Sequence, residues 1–276
     1  FRPQSIEYSG IKCYPTANYV NYYGMQNGYP INDMTKADAE SGYDPTHPWK
    51  NRDPRFYKTI MFDGVKWKST GGAGGTAELF TGGRESEEAN EKKGCFTAYM
   101  NSKLCPQLMN TVDGYKENNI MILSLMRLAD VYLMYAEATA VGYNGPKGKA
   151  ATYSLTAEEA LNKIRERAGI ALLSNINMEK VRHERRVELA FEGHRFWDMK
   201  RWRIAHLDVA QGGLNGFRGT ALYPWYDIRD GKYVFERGRN TPKQLRIFLE
   251  KNYYTKINQD DMNSNPNLIQ NPGYTN

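Results

Sequence analysis

Six charged residues, Arg185, Glu188, Glu192, Arg195, Asp198 and Arg201, follow one another at spacings of three or four. On helical backbone that spacing sets alternating signs on one face, each a turn from its neighbour. Two chemistries suit such a pattern. One is a pair of catalytic carboxylates or an anion site, in which neighbouring charges tune the acid. The other is an ion-pair ladder that locks helices together beside Phe191, Phe196, Trp197 and Trp202. The ladder is the reading adopted here, because hydrolysis of a glycosidic bond needs two opposed carboxyls, one with a raised pKa. Nothing in the spacing of the 31 acidic residues singles out such a pair.

The remaining motifs with chemical potential each lack a required part. His183-Glu184 starts like a zinc-protease helix, but position 187 is Val where the second histidine ligand would stand. His194 and His206 have no spacing that gathers them with His183 around one ion. The run Gly71-Gly72-Ala73-Gly74-Gly75-Thr76 has the composition of a phosphate loop without its Lys-Ser/Thr ending, and reads as a flexible surface loop. Asp227, Asp230 and Gly231, like Asp260-Asp261, miss the ligand spacing of a calcium loop. Cys13, Cys95 and Cys105 form no CxxC pair; a bridge between Cys95 and Cys105 stays open. No catalytic residue, metal ligand or cofactor is therefore assigned.

Aromatic side chains in the first third are the better candidates for a site: Tyr19, Tyr22, Tyr23, Tyr43, Trp49, Tyr57 and Trp67. A sugar ring has an apolar face of CH groups and a rim of hydroxyls, so a receptor presents an aromatic plane with polar groups beside it. Trp49 follows His47-Pro48 and Trp67 lies just past Asp63-Gly64, so both are expected at exposed turns. Tyr43 and Tyr23 would add planes, and Asn51 or Arg52 would reach the hydroxyl rim.

The elements that must position these residues fall into three stretches. Residues 1–117 are irregular, with turn signals at Asn27-Gly28, Asp63-Gly64 and Gly71-Gly72, a strand-like run over 57–62 and one hairpin expected around Asp63-Gly64. The Gly-, Glu- and Lys-rich residues 71–94 read as a mobile excursion. Residues 118–207 are helical: Leu125, Leu128, Ala129, Tyr132, Ala136 and Ala140 share one face. A second helix opens on a capping box, Thr156 with Glu159, and stops at Gly169. A third runs from about Asn177 to Phe191, and after Gly193 a fourth continues to Trp202. Residues 208–276 return to turns, with one helix expected over 242–251. The fold class is mainly α, with tetratricopeptide-like helical hairpins and a loop-rich portion containing short strands.

Of 276 residues, 40% are hydrophobic and 25% charged, with 20 tyrosines and a net charge of +6. The Lys and Arg are scattered, without the dense basic footprint of a nucleic-acid binder. The longest apolar run, 120–141, is broken by Ser124, Arg127, Asp130 and Glu137, and so reads as a buried helix instead of a membrane span.

Several stretches together carry a family resemblance. They are Asn51-Arg52-Asp53-Pro54-Arg55-Phe56, the helix from Arg127-Leu128-Ala129-Asp130 to Tyr135-Ala136-Glu137-Ala138, and Ala160-Leu161-Asn162-Lys163-Ile164-Arg165. They continue with Glu184-Arg185-Arg186-Val187-Glu188-Leu189 through Phe191-Glu192-Gly193-His194-Arg195-Phe196-Trp197-Asp198, and close with Asn265-Pro266-Asn267-Leu268-Ile269. In this order they resemble the SusD/RagB family. Lys256-Ile257-Asn258 stands where that family usually has Pro-Ile-Pro. The resemblance implies a glycan-binding protein, not an enzyme, lipid-anchored on the cell-surface side of the outer membrane and capping a SusC-like TonB-dependent transporter. It also implies that this chain is the carboxy-terminal portion, with the lipidated cysteine on the missing amino-terminal half, so that Cys13 is not the anchor. A peptide receptor of the RagB branch and a glycosidase are the competing readings. The shared motifs are scaffold motifs, so the resemblance assigns no ligand residue.

Overall fold

The computed structural model describes residues 14–67, 75–89, 94–103, 124–217, 220–221, 224–227, 229–235, 239–240 and 245–275. The chain divides into two compact units, Phe1–Glu192 with Thr220–Thr241, and Gly193–Gly219 with Pro242–Asn276.

In the first unit, α1 (Ala17–Val20) is a single turn capped by Thr16, whose hydroxyl accepts from the Tyr19 amide. Next comes α2 (Pro54–Thr59), with Asp53 as N-cap and Pro54 at the first helical position, where its missing N–H costs nothing. The expected strand over 57–62 is thus helix in its first half, and only Ile60–Met61 pairs as a strand, β1. The expected hairpin around Asp63-Gly64 is also absent. Gly64 does turn the chain, at φ 80°, yet the two sides pair elsewhere. β1 pairs with β4 (Met100–Asn101), while β2 (Lys66–Trp67) pairs with β3 (Gly75–Thr76).

Residues 75–89 are not a solvated excursion either. Ala77 and Leu79 are buried in a small core with Met61, Cys95 and Met100, and Glu85 and Ser86 are fully buried beside them in sequence. Within 71–94, residues 71–74 and 90–93 lie outside the described ones. The buried Cys95 thiol, which donates to Tyr99 O at 3.2 Å, is pushed by burial up to about 11 and so is held as the neutral form; Cys13 and Cys105 lie outside the described residues.

The helical part follows the spacing more closely. α3 (Leu128–Gly142) and α4 (Ala157–Ala168) form an antiparallel hairpin, and α5 (Met178–Glu188) packs on both. Ala136, Ala157 and Ala160 are fully buried with Leu161 and Val181 in one cluster, and their small side chains let the helices approach. Thr156 and Glu159 make the reciprocal capping box, and Gly169 ends α4 in the left-handed region at φ 72°. The buried stripe of α3 is Ala129, Leu133 and Ala136, however; Leu125 precedes the helix and is 91% exposed, and Leu128 is also exposed.

Four short antiparallel pairs complete the sheet structure among the described residues. Two of them come from the returning segment: β5 (Thr220–Ala221) with β8 (Arg239–Asn240), and β6 (Pro224–Asp227) with β7 (Lys232–Phe235). Asp227 faces Lys232 across the second pair, and Gly231 at φ 62° makes its turn. The Asp227 to Gly231 motif is therefore a hairpin end.

The second unit holds α6 (His194–Arg201), whose Met199 joins Ala205 and Phe248 in a small core, and α7 (Gln259–Ser264), which buries no residue. The helix expected over 242–251 is replaced by extended chain up to Leu249 in its described part and one 3-10 turn, Glu250–Tyr253; residues 242–244 lie outside the described ones. The short helix α7 has no strong apolar stripe and was not foreseen. None of the described helices is long and apolar enough to cross a membrane.

Candidate ligand-binding site

The loops between α1 and α2 are organised by one buried cation. Arg52 donates from Nε and Nη2 to the Tyr23 carbonyl at 3.1 and 2.6 Å, from Nη2 to Val20 O at 3.0 Å and from Nη1 to Pro48 O at 3.0 Å. Its guanidinium also lies over the Phe56 ring, 4.7 Å from the centroid. With four of its five N–H donors turned onto interior carbonyls and the side chain buried, Arg52 does not reach a hydroxyl rim.

Three members of the aromatic set anticipated around it are core instead, whereas Tyr57 is 43% exposed. Tyr23 and Tyr43 are buried, and the Tyr43 hydroxyl donates to Met34 O at 2.9 Å. Trp49 is only 8% exposed, between Phe62 at 4.7 Å and Tyr233 at 4.5 Å. The physical reason is that this region has no regular helix face to bury, so its large rings supply the apolar interior of the loops. Trp67 lies in β2, and its side chain is outside the described residues.

Asn51 is the candidate that stays at the surface. It takes a left-handed backbone, φ 54°, which Asn tolerates better than most residues, and its carbonyl accepts from the Gln26 amide at 2.9 Å. This bond brings the 25–27 turn against 51. The turn is closed by the Met25 amide on Tyr29 O at 2.9 Å, and a Cβ on Gly24 would lie 2.4 Å from that same oxygen. Asn27 ties in a third loop, donating from Nδ2 to Ser41 O at 3.0 Å.

Together Met25, Gln26, Asn27, Ser41, Gly42 and Asn51 line an open pocket of about 410 Å³. Its floor is apolar at Met25, which is buried, and its rim carries the exposed amides of Gln26 and Asn51. Among the described residues, neither of these two amide side chains has a hydrogen-bond partner within the protein. Tyr29, 44% exposed, adds an aromatic surface on the same turn. Sequence reasoning flagged Asn27-Gly28 as a turn and missed Gln26, Asn27, Ser41 and Gly42 as a site, since neutral side chains carry no pattern until long-range bonds assemble them.

The charged residues behave differently. Glu184, fully buried, is gripped by Arg55 Nη1 at 2.5 Å and Arg165 Nη1 at 2.7 Å. Glu188 accepts from Arg55 at 3.1 Å, from Arg127 Nη1 at 2.6 Å and from Arg167. Arg127 also meets Glu192 in a two-pronged pair, Nε and Nη2 both at 2.7 Å, and Lys103 caps Glu192 at 2.5 Å. Arg185 reaches from α5 to Asp130 on α3, and Arg55 closes onto its own cap residue Asp53 at 2.7 Å.

These pairs run between elements, and the expected ladder is also split by its backbone. α5 ends at Glu188, and Phe191 at φ 61° and Gly193 at φ 83° interrupt the helix before α6. Arg195, Asp198 and Arg201 therefore stand in the second unit, where Asp198 pairs with Arg201 at 2.8 Å and Arg195 is half-buried.

Burial pushes Glu188 and Glu192 up, but the hydrogen bonds from Arg127, joined by Arg55 at Glu188 and Lys103 at Glu192, outweigh it and hold both carboxyls below their usual range. That is the reverse of what a general acid needs. Asp63 is held up by burial, and it serves as an anchor, accepting from the amides of Leu79 at 2.7 Å and Phe80 at 3.1 Å.

Comparison with known proteins places this architecture. The sequence model of the SusD family matches residues 2–274. A SusD-like protein of Bacteroides ovatus is 39% identical over 134 residues, which is 48% of this chain and 23% of that protein. Among solved structures, a SusD-like protein of Bacteroides fragilis superposes with a TM-score of 0.67 at 24% identity, covering 94% of this chain and 46% of its own. A SusD-like carbohydrate-binding protein of the same species gives 0.57 at 24% identity over 92% of this chain and 48% of its own. At those identities the structural likeness speaks for the fold. The chain spans about half the length of these structures and less of the curated relative. With the family's sequence model matched over nearly the whole chain, this protein belongs to the SusD family.

Proposed function

We propose that this chain forms part of a non-catalytic, surface-exposed glycan-binding protein, lipid-anchored at the outer membrane, that hands glycan to a SusC-like TonB-dependent transporter. Family membership supports the class of activity, and one observation carries the site. Gln26 and Asn51 offer unused amide donors and acceptors at the rim of an open pocket with an apolar floor. Hydroxyl rims of sugars require that pairing of neutral donors and acceptors with an apolar contact. Pocket volume falls in the range that holds small ligands, roughly 300–1,000 Å³.

Titration calorimetry against parallel panels of oligosaccharides and peptides tests the reading. Saturable binding of an oligosaccharide without release of reducing sugar is the expected result; binding of peptides alone, or sugar release abolished by one carboxylate substitution, contradicts it. The partner is tested by solubilising outer membranes with the tagged full-length protein in place. A TonB-dependent transporter should co-purify, and its absence under conditions that preserve other outer-membrane complexes contradicts the partnership.

A further inference from the structure

We infer that the pocket selects neutral glycans and turns away uronate-bearing or sulfated ones; this rests on the glycan-binding reading above. The six lining residues include no charged side chain. Selectivity against an anion arises when the ligand's charge loses water and meets no cation, or meets like charge.

Like charge is what borders the pocket. Ser41 and Gly42 belong to the 33–44 loop, which carries Asp33, Asp38, Glu40 and Asp44 against a single Lys36, although the whole chain has a net charge of +6. Lys36 is occupied by Asp33 at 3.3 Å. Asp38 is bonded directly to the lining segment: Oδ1 accepts from the Ser41 amide at 3.5 Å and the Glu40 amide at 3.0 Å, and its carbonyl accepts from Gly42 at 2.9 Å. Hydrogen bonds from Ser41 and Glu40 hold the Asp38 carboxyl below its usual range, and those from Thr46 and His47 bring Asp44 down to about 2. Both are therefore ionised at neutral pH.

Two of the nearby cations are committed to partners within the protein. Arg165 comes close beneath Gly28, where its Nη2 would lie 3.2 Å from an added Cβ. Its Nη1 holds Glu184 at 2.7 Å and its Nε donates to Ala171 O at 2.7 Å. Arg52 is turned inward onto carbonyls. Lys50, exposed and next to Asn51, is the remaining cation in sequence and enters the test directly.

The experiment screens the protein on immobilised neutral oligosaccharides of hexoses and pentoses beside uronate-bearing and sulfated ones. It then titrates the strongest hit with the parent, Gln26→Ala, Asn51→Gly and Lys50→Ala. Glycine accepts the left-handed backbone at 51, so that variant deletes the amide without straining the turn. Binding should be confined to neutral glycans and weaken about three- to tenfold in Gln26→Ala and Asn51→Gly, the size of one lost hydrogen bond. It should be unchanged in Lys50→Ala and nearly constant between about 0.05 and 0.5 M salt, since screening acts on charged ligands.

Tightest binding to an acidic glycan, or binding that depends on Lys50, overturns the inference while leaving the glycan reading intact. Neutral binding that survives both amide deletions moves the sugar away from this pocket and overturns it as well. Silence across every glycan removes the underlying reading and the inference together.

Discussion

Two polar regions of the first unit use opposite chemistry. Between α2, α4 and α5, buried carboxylates are answered by arginines: Glu184 lies between Arg55 and Arg165, and Glu188 among Arg55, Arg127 and Arg167. At the 25–27, 41–42 and 51 loops, the neutral side-chain amides of Gln26 and Asn51 face solvent with their hydrogen-bonding capacity unspent. Removing a partner from the first region strands a charge in the interior. Removing an amide from the second changes only what a ligand could have met. The charged motif that stands out in the sequence thus ties the elements together, and the inconspicuous amides line the proposed site.

The sharpest way to break this contrast is Glu184→Gln. It leaves Arg55 and Arg165 without their shared buried carboxylate, and a denaturant melt should show a loss of ~3–5 kcal/mol. A loss near zero would mean the network does not hold the elements together. Arg52→Ala links the two regions, since it frees the carbonyls of Val20, Tyr23 and Pro48 that define the loops. Buried acceptors left unpaired cost about 1–3 kcal/mol each, so stability and sugar binding should fall together in melts and titrations on the same variant.

Acid should act on the network and spare the pocket. Glu188 and Glu192 have folded pKa values below the ordinary glutamate value of 4.5, so their contribution is present above about pH 4.5 and is lost as pH falls through the depressed values. His183, which burial lowers from 6.5 to about 4, contributes fully above 6.5 and loses that contribution as pH drops towards 4. Melting midpoints measured from pH 7 to 3 should fall in both windows, and His183→Gln should flatten the upper one alone. A smaller effect is expected at the α4 cap, where Thr156→Ala should cost about 1 kcal/mol in a melt without touching sugar binding.

Legibility differed between these regions for physical reasons. α4 could be read closely because its start and stop are local: Thr156 with Glu159, then Gly169 at positive φ. The break between α5 and α6 was signalled by Gly193, whereas the positive φ at Phe191 had no residue-type signal. α2 was misread because Tyr57, Ile60, Met61 and Phe62 outweighed the Asp53-Pro54 start signal. Trp49 is expected at the surface because His47-Pro48 precedes it, with Tyr43 and Tyr23 as added planes, but with few aliphatic faces nearby the rings themselves form the core. The pocket was least legible of all. Its geometry depends on Gln26 meeting Asn51 and Asn27 meeting Ser41, contacts that local spacing does not encode.

A structure of the protein with a bound neutral oligosaccharide tests the central contrast most directly. The account predicts a sugar ring over Met25 with its hydroxyls within hydrogen-bond distance of the Gln26 and Asn51 side chains, and the pairs around Glu184 and Glu188 unchanged. A sugar bound elsewhere with this pocket open, or one inserted among the carboxylates of the network, would contradict it.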